Sequence, residues 1–136
     1  MAAITRQSTN NTLALLDNDR VDPNQEDTNG NTALHSAACD GYAKSVLLLL
    51  DCSRVNPNLQ NSQGRTPLHE AAGNGRDSVV ELLLRRNQIK EGAVNTDLRD
   101  KASLSALGLA SEKGMTRVVD LLLEAGAENL KILDVV

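Results

Sequence analysis

Gly64-Arg65-Thr66-Pro67-Leu68-His69-Glu70-Ala71-Ala72 is the stretch on which the reading of this chain turns. The Thr66 hydroxyl suits a helix N-cap, and Pro67 suits the first helical position, where its missing N–H would have no intrahelical partner in any case. Leu68, Ala71 and Ala72 follow at i, i+3 and i+4, a narrow apolar stripe whose alanines let a neighbouring helix come close. Gly75 is expected to end the helix. The run Val79-Val80 and Leu82-Leu83-Leu84 resumes helical spacing after a short turn, so the unit reads as two antiparallel helices.

The unit recurs. Moving back by 34 residues sets Asp27, Gly30, Thr32, Leu34, His35, Ala37, Ala38, Gly41, Val46, Leu48 and Leu49 over Asn61, Gly64, Thr66, Leu68, His69, Ala71, Ala72, Gly75, Val80, Leu82 and Leu83. Moving forward by 39 sets Asp100, Ser103, Ser105, Leu107, Ala110, Gly114, Val119, Leu121 and Leu122 in the same places, with Gly108 for His69 and Ala106 for Pro67. A fixed period of this size marks a stack of supersecondary units, each burying its apolar face only against its neighbours.

With Thr66-Pro67-Leu68-His69-Glu70-Ala71 and its near copy Thr32-Ala33-Leu34-His35-Ser36-Ala37, the chain resembles the ankyrin repeat over residues 12 to 130. The resemblance implies an all-α solenoid of stacked antiparallel helix pairs joined by short hairpin loops, a single domain over 1–136. Its parts are a partial first repeat at 1–26, full repeats at 27–60, 61–99 and 100–130, and a tail at 131–136. Residues 20–24 repeat at 54–58, which matches the second half of the partial repeat, and Asn10 or Asn11 is expected to cap a helix through Asp17. Asn29-Gly30 marks a hairpin tip. The interval Gly75 to Gly92 is 17 residues against 12 for Gly114 to Gly126, so five residues are extra near 85–91; they either lengthen the second helix or bulge the loop behind it.

Composition narrows the function classes. The chain has no Phe or Trp and the single Tyr42, so stacking of nucleic-acid bases is nearly excluded, and a net charge of −4 disfavours nucleic acid and anionic membrane as partners. No stretch is long and apolar enough for a transmembrane helix, and residues 1–6 lack the apolar run of a signal peptide, so an intracellular protein, cytoplasmic or nuclear, is expected. Two cysteines, Cys39 and Cys52, are too few for a disulfide framework. The sequon Asn10-Asn11-Thr12 would matter only in a secreted protein.

Catalytic and metal motifs fail residue by residue. His35 and His69 with no third ligand leave a zinc site incomplete, and the counterpart of Cys39 beside His69 is Gly73. His69-Glu70-Ala71-Ala72-Gly73 lacks the second histidine of H-E-x-x-H. Gly73-Asn74-Gly75 begins like a dinucleotide fingerprint, but Ser78 stands for the third glycine and no strand precedes it. No enzyme activity, cofactor or metal is expected, and the resemblance gives both histidines a structural role, tying one hairpin to the next.

The resemblance implies a partner protein held on a concave face of hairpin tips and first helices. By position this face is Thr28, Asn29, Asn31, Asp40 and Tyr42, then Ser62, Gln63, Arg65, Asn74 and Arg76, then Lys101, Leu104, Glu112 and Lys113, with Cys39 and Ala102 among them. Arg85, Arg86 and Lys90 form the densest positive cluster, either a solvated helix end or a patch for an acidic partner. Asp134-Val135-Val136 is either a ligand for a peptide-capture domain or a tail packed on the last repeat. A monomeric adaptor or scaffold is expected. The alternatives are a small inhibitor occluding an enzyme such as a kinase, or the N-terminal binding domain of a larger effector or ligase adaptor.

Overall fold

The computed structural model describes residues 12–14, 16–17, 20–86 and 94–134. Helical residues at 12–14 and 16–17 precede α1 (Ala33–Asp40), α2 (Ala43–Asp51), α3 (Pro67–Gly73), α4 (Asp77–Arg86), α5 (Ala106–Lys113) and α6 (Thr116–Asp134), with no strand among the described residues. α1, α3 and α5 stack as one layer and α2, α4 and α6 as a second, each first helix also packing on its own partner. Leu68, Ala71 and Ala72 are buried between first helices, and Val79, Val80 and Leu83 between second helices. This is the all-α solenoid of helix pairs that the repeat pattern implies.

Each first helix begins as its sequence requires. Thr32 and Thr66 are extended N-caps whose hydroxyls accept the N–H of His35 and His69, and Ser105 does the same for the Gly108 N–H at 3.2 Å. Pro67 occupies the first turn of α3. The turns to the second helices pass through Gly41, Gly75 and Gly114, at φ +77°, +67° and +73°, the left-handed region that glycine enters without steric cost. Gly75 lies one residue beyond the Asn74 C-cap of α3, so that helix ends at Gly73.

Two details were not read from the sequence. α6 continues past Gly126 through Asp134, so residues 131–134 of the expected tail are helical. A glycine inside a helix costs only about 1 kcal/mol against alanine, and no proline follows it here, so the run Ala125 to Leu130 carries the helix on. Leu82 is half-buried, and the fully buried leucine of α4 is Leu83. At the insertion, α4 extends two residues beyond Leu84 to Arg86; Lys90 and the rest of 87–93 lie outside the described residues, as do Asn10, Asn11, Val135 and Val136.

Candidate partner-binding surface

The three hairpins are built by one device. A side-chain oxygen at the first position takes two backbone N–H groups: Asp27 Oδ1 from Asn29 and Asn31, Asn61 Oδ1 from Gln63 and Arg65, and Asp100 Oδ1 from Ala102 and Leu104, all at 2.8 to 3.0 Å. Such Asx contacts fix a tight turn without a sheet around it. Backbone bonds then join tip to tip, the Ser62 N–H donating to the Asn29 carbonyl at 2.9 Å and the Lys101 N–H to the Gln63 carbonyl at 3.0 Å. The aligned residues 27, 61 and 100 were visible in the sequence, but their joint role as turn-holders was not inferred from it.

The histidines lock this ladder to the helix layer. His35 Nδ1 lies 3.1 Å from the Thr32 backbone nitrogen, which can only donate, so Nδ1 accepts and Nε2 carries the proton. Nε2–H then donates to the Arg65 carbonyl at 2.8 Å, and His69 repeats the arrangement with Thr66 and the Leu104 carbonyl. Burial pushes the His35 imidazole below its ordinary 6.5, outweighing the hydrogen bond to Arg65 and the nearby Glu70 carboxylate. Gly108 has no side chain with which to continue the bridge.

Neighbouring hairpins also meet through side chains at one repeated position. Asn31 Oδ1 accepts from Asn61 Nδ2 at 2.9 Å, and one step along Arg65 Nε lies 3.6 Å from Asp100 Oδ2. Asp100 is buried, which by itself would raise its carboxyl. The N–H groups of Leu104 and Ala102 and the Arg65 guanidinium outweigh that and hold it below its ordinary 3.8. Glu70, which carried no role in the sequence reading, is half-buried and accepts from Asn61 Nδ2 at 3.2 Å; its spacing four residues after Thr66 held no signal of this.

The predicted surface residues therefore divide. Thr28, Asn29, Ser62, Gln63 and Lys101 are exposed on the tips, and Asp40, Asn74, Glu112 and Lys113 are exposed where the first helices end. Asn31 and Arg65 are half-buried in the latches between hairpins, and Leu104 is half-buried with its carbonyl on His69. Tyr42 packs against the core. Arg76 is exposed yet donates from Nε to the Cys39 carbonyl at 2.9 Å, and Asn74 donates to the Glu70 carbonyl at 2.7 Å.

A family model described as ankyrin repeats, three copies, matches residues 1–61 and 46–132. The chain belongs to the ankyrin-repeat family. No curated protein matches it. Ankyrin repeats are generally protein–protein interaction modules and typically non-catalytic. Among the described residues no group of three or more His, Cys, Asp or Glu is placed to hold a metal ion, and no helix is long and apolar enough to cross a membrane. Cys39 is half-buried, and its burial, with the Glu70 and Asp40 charges, raises its thiol, the opposite of what a nucleophile needs. Arg85 is exposed on α4, in the layer away from the tips.

Proposed function

We propose that this ankyrin chain is a non-catalytic adaptor that binds a partner protein across its hairpin tips and first helices. The observation that carries the reading is the split between repeated and unrepeated positions. Leu34 and Leu68, Ala38 and Ala72, and Val46 and Val80 are identical and buried, because each meets the same neighbour in the stack. Thr28, Ser62 and Lys101 share one exposed place with three chemistries, and Asn31, Arg65 and Leu104 share a half-buried one. Geometry held constant under varied side chains is what selective recognition requires.

Interface energy concentrates in a few Tyr, Trp and Arg residues, which points to Tyr42, Arg65 and Arg76, each worth about 2 kcal/mol or more on truncation. Tyr42, Arg65 and Arg76 also serve the fold, so their alanine variants are compared with wild type for folding as well as for affinity. The test is to identify partners by pull-down from native lysate, then measure each partner's affinity and activity with the purified chain. A partner that binds and keeps its activity supports the adaptor; a partner enzyme silenced in proportion to occupancy would make the chain an inhibitor instead.

A further inference from the structure

The hairpin and first-helix face is electrically polarised along the stack. Residues 26–42, 60–76 and 99–115 are its matched segments in successive repeats. The first carries Glu26, Asp27 and Asp40 with no Lys or Arg, and the second carries Arg65 and Arg76 against Glu70. The third carries Arg99, Lys101 and Lys113 against Asp100 and Glu112, of which Asp100 is buried beside Arg65. The outer layer shows no such trend, since the equivalent exposed residues Asp51, Arg85 and Glu124 of its three helices alternate in sign.

Two columns carry the change position by position. Glu26, Gln60 and Arg99 are equivalent residues where successive hairpins begin, and Asp40, Asn74 and Lys113 are equivalent residues where successive first helices end. Each column runs acid, amide, base. All six residues are exposed, and among the described residues none of the four charged side chains is in an ion pair. The first helices stack, so acid and base in a column are two helix spacings apart, roughly 20 Å. The amides between them have spent their donors inside the chain. Gln60 Nε2 donates to the Gly64 and Arg99 carbonyls at 2.9 and 3.0 Å, and Asn74 Nδ2 to the Glu70 carbonyl at 2.7 Å and the Cys39 sulfur at 3.6 Å. What each has left to offer is an acceptor oxygen.

We propose that the partner segment held on this face is charge-segregated and lies along the stack in one direction. Its basic residues stand over Glu26 and Asp40, its hydrogen-bond donors over Gln60 and Asn74, and its acidic residues over Arg99 and Lys113. The inference rests on the reading that this face holds a partner, and it adds the partner's chemistry and direction. A segment laid the other way sets like charges against one another at both ends, which excludes that pose. The two ends act separately, because exposed charges farther apart than the Debye length, about 8 Å at physiological salt, are largely screened from one another. Acid at one end of a column therefore does not cancel the base at the other.

The probe is a synthetic peptide of two lysines, a Ser-Thr-Ser-Thr spacer and two glutamates, long enough when extended to span a column. It carries a nitroxide at its lysine end and is titrated into the isotope-labelled full chain. Amide broadening is expected to be stronger over 26–40 than over 99–113. A peptide of the same composition with lysine and glutamate alternating is expected to bind about tenfold or more weakly. In the variant Glu26→Arg, Arg99→Glu, Asp40→Lys, Lys113→Asp, whose net charge is unchanged, the stronger broadening is expected over 99–113. Equal broadening of both ends of the wild-type chain, equal affinity of the alternating peptide, or no binding by either peptide up to its solubility limit would each overturn the proposal. So would a variant that unfolds like wild type and keeps the broadening at 26–40; the wild-type measurements decide alone if the variant does not fold. A pulled-down partner that weakens with Gln63→Ala, Lys101→Ala but binds the exchanged variant as it binds wild type would overturn the charge order and leave the adaptor reading standing. A partner indifferent to both would overturn the two together.

Discussion

His69 joins three pieces of structure through one ring: the start of α3, the second hairpin and the third. His69→Ala removes the bond to the Thr66 N–H and strands the Leu104 carbonyl, so urea unfolding is expected to show a loss of about 2 to 4 kcal/mol, more than two ordinary hydrogen bonds. The pH dependence has a definite sign at His35. Its folded-state imidazole titrates below 6.5, so the unfolded chain binds the proton more readily. Stability is then full above 6.5 and falls as pH drops from 6.5 toward the folded value, with a further loss in more acid solution as the low-titrating Asp100 is protonated. A second residue-scale test lies at Ser103, the one non-glycine at positive φ among the described residues, +65°, where the other hairpins have Gly30 and Gly64. Ser103→Gly is expected to raise stability by about 1 kcal/mol by relieving left-handed strain. Gly64→Ala is expected to lower it by more, since its Cβ would stand 2.9 Å from the Lys101 backbone nitrogen as well as in that strained region.

At the scale of elements, the helices were legible because their signals are local. Thr66-Pro67 fixes a start, Leu68 with Ala71 and Ala72 fixes a face, and the 34-residue echo repeats both signals. The end of α6 was not legible, because Gly126 looks like a stop and only the absence of a competing left-handed turn lets the helix run on. Nor were the contacts of Arg65, Arg76 and Glu70, whose partners lie in other repeats at distances that no local pattern encodes. Leu83→Ala in α4 is expected to cost about 2 to 5 kcal/mol in thermal or urea unfolding, and Leu82→Ala less, because Leu82 is already half in solvent. Repeats open unequally in such stacks. The third lacks Pro67 and His69 equivalents and exposes Ser111 where Ala38 and Ala72 are buried. Hydrogen exchange is therefore expected to be faster over residues 100–126 than over 61–84, and equal protection would contradict the link between motif loss and local opening.

The whole molecule separates what holds it from what it presents. Buried leucines, alanines and histidines repeat, while the tips and first-helix ends change chemistry from one repeat to the next. Gln63 and Lys101 test that division most cleanly, because both side chains are exposed and their backbone atoms alone enter the tip ladder. The decisive measurement is the affinity of the pulled-down partner for the Gln63→Ala, Lys101→Ala double variant beside Arg85→Ala, Arg86→Ala, both checked for unchanged unfolding. The account predicts that the tip variant binds about tenfold or more weakly while the α4 variant binds as wild type. Full affinity of the tip variant with binding abolished by the α4 variant would place the partner on the basic end of the second helix and contradict the account.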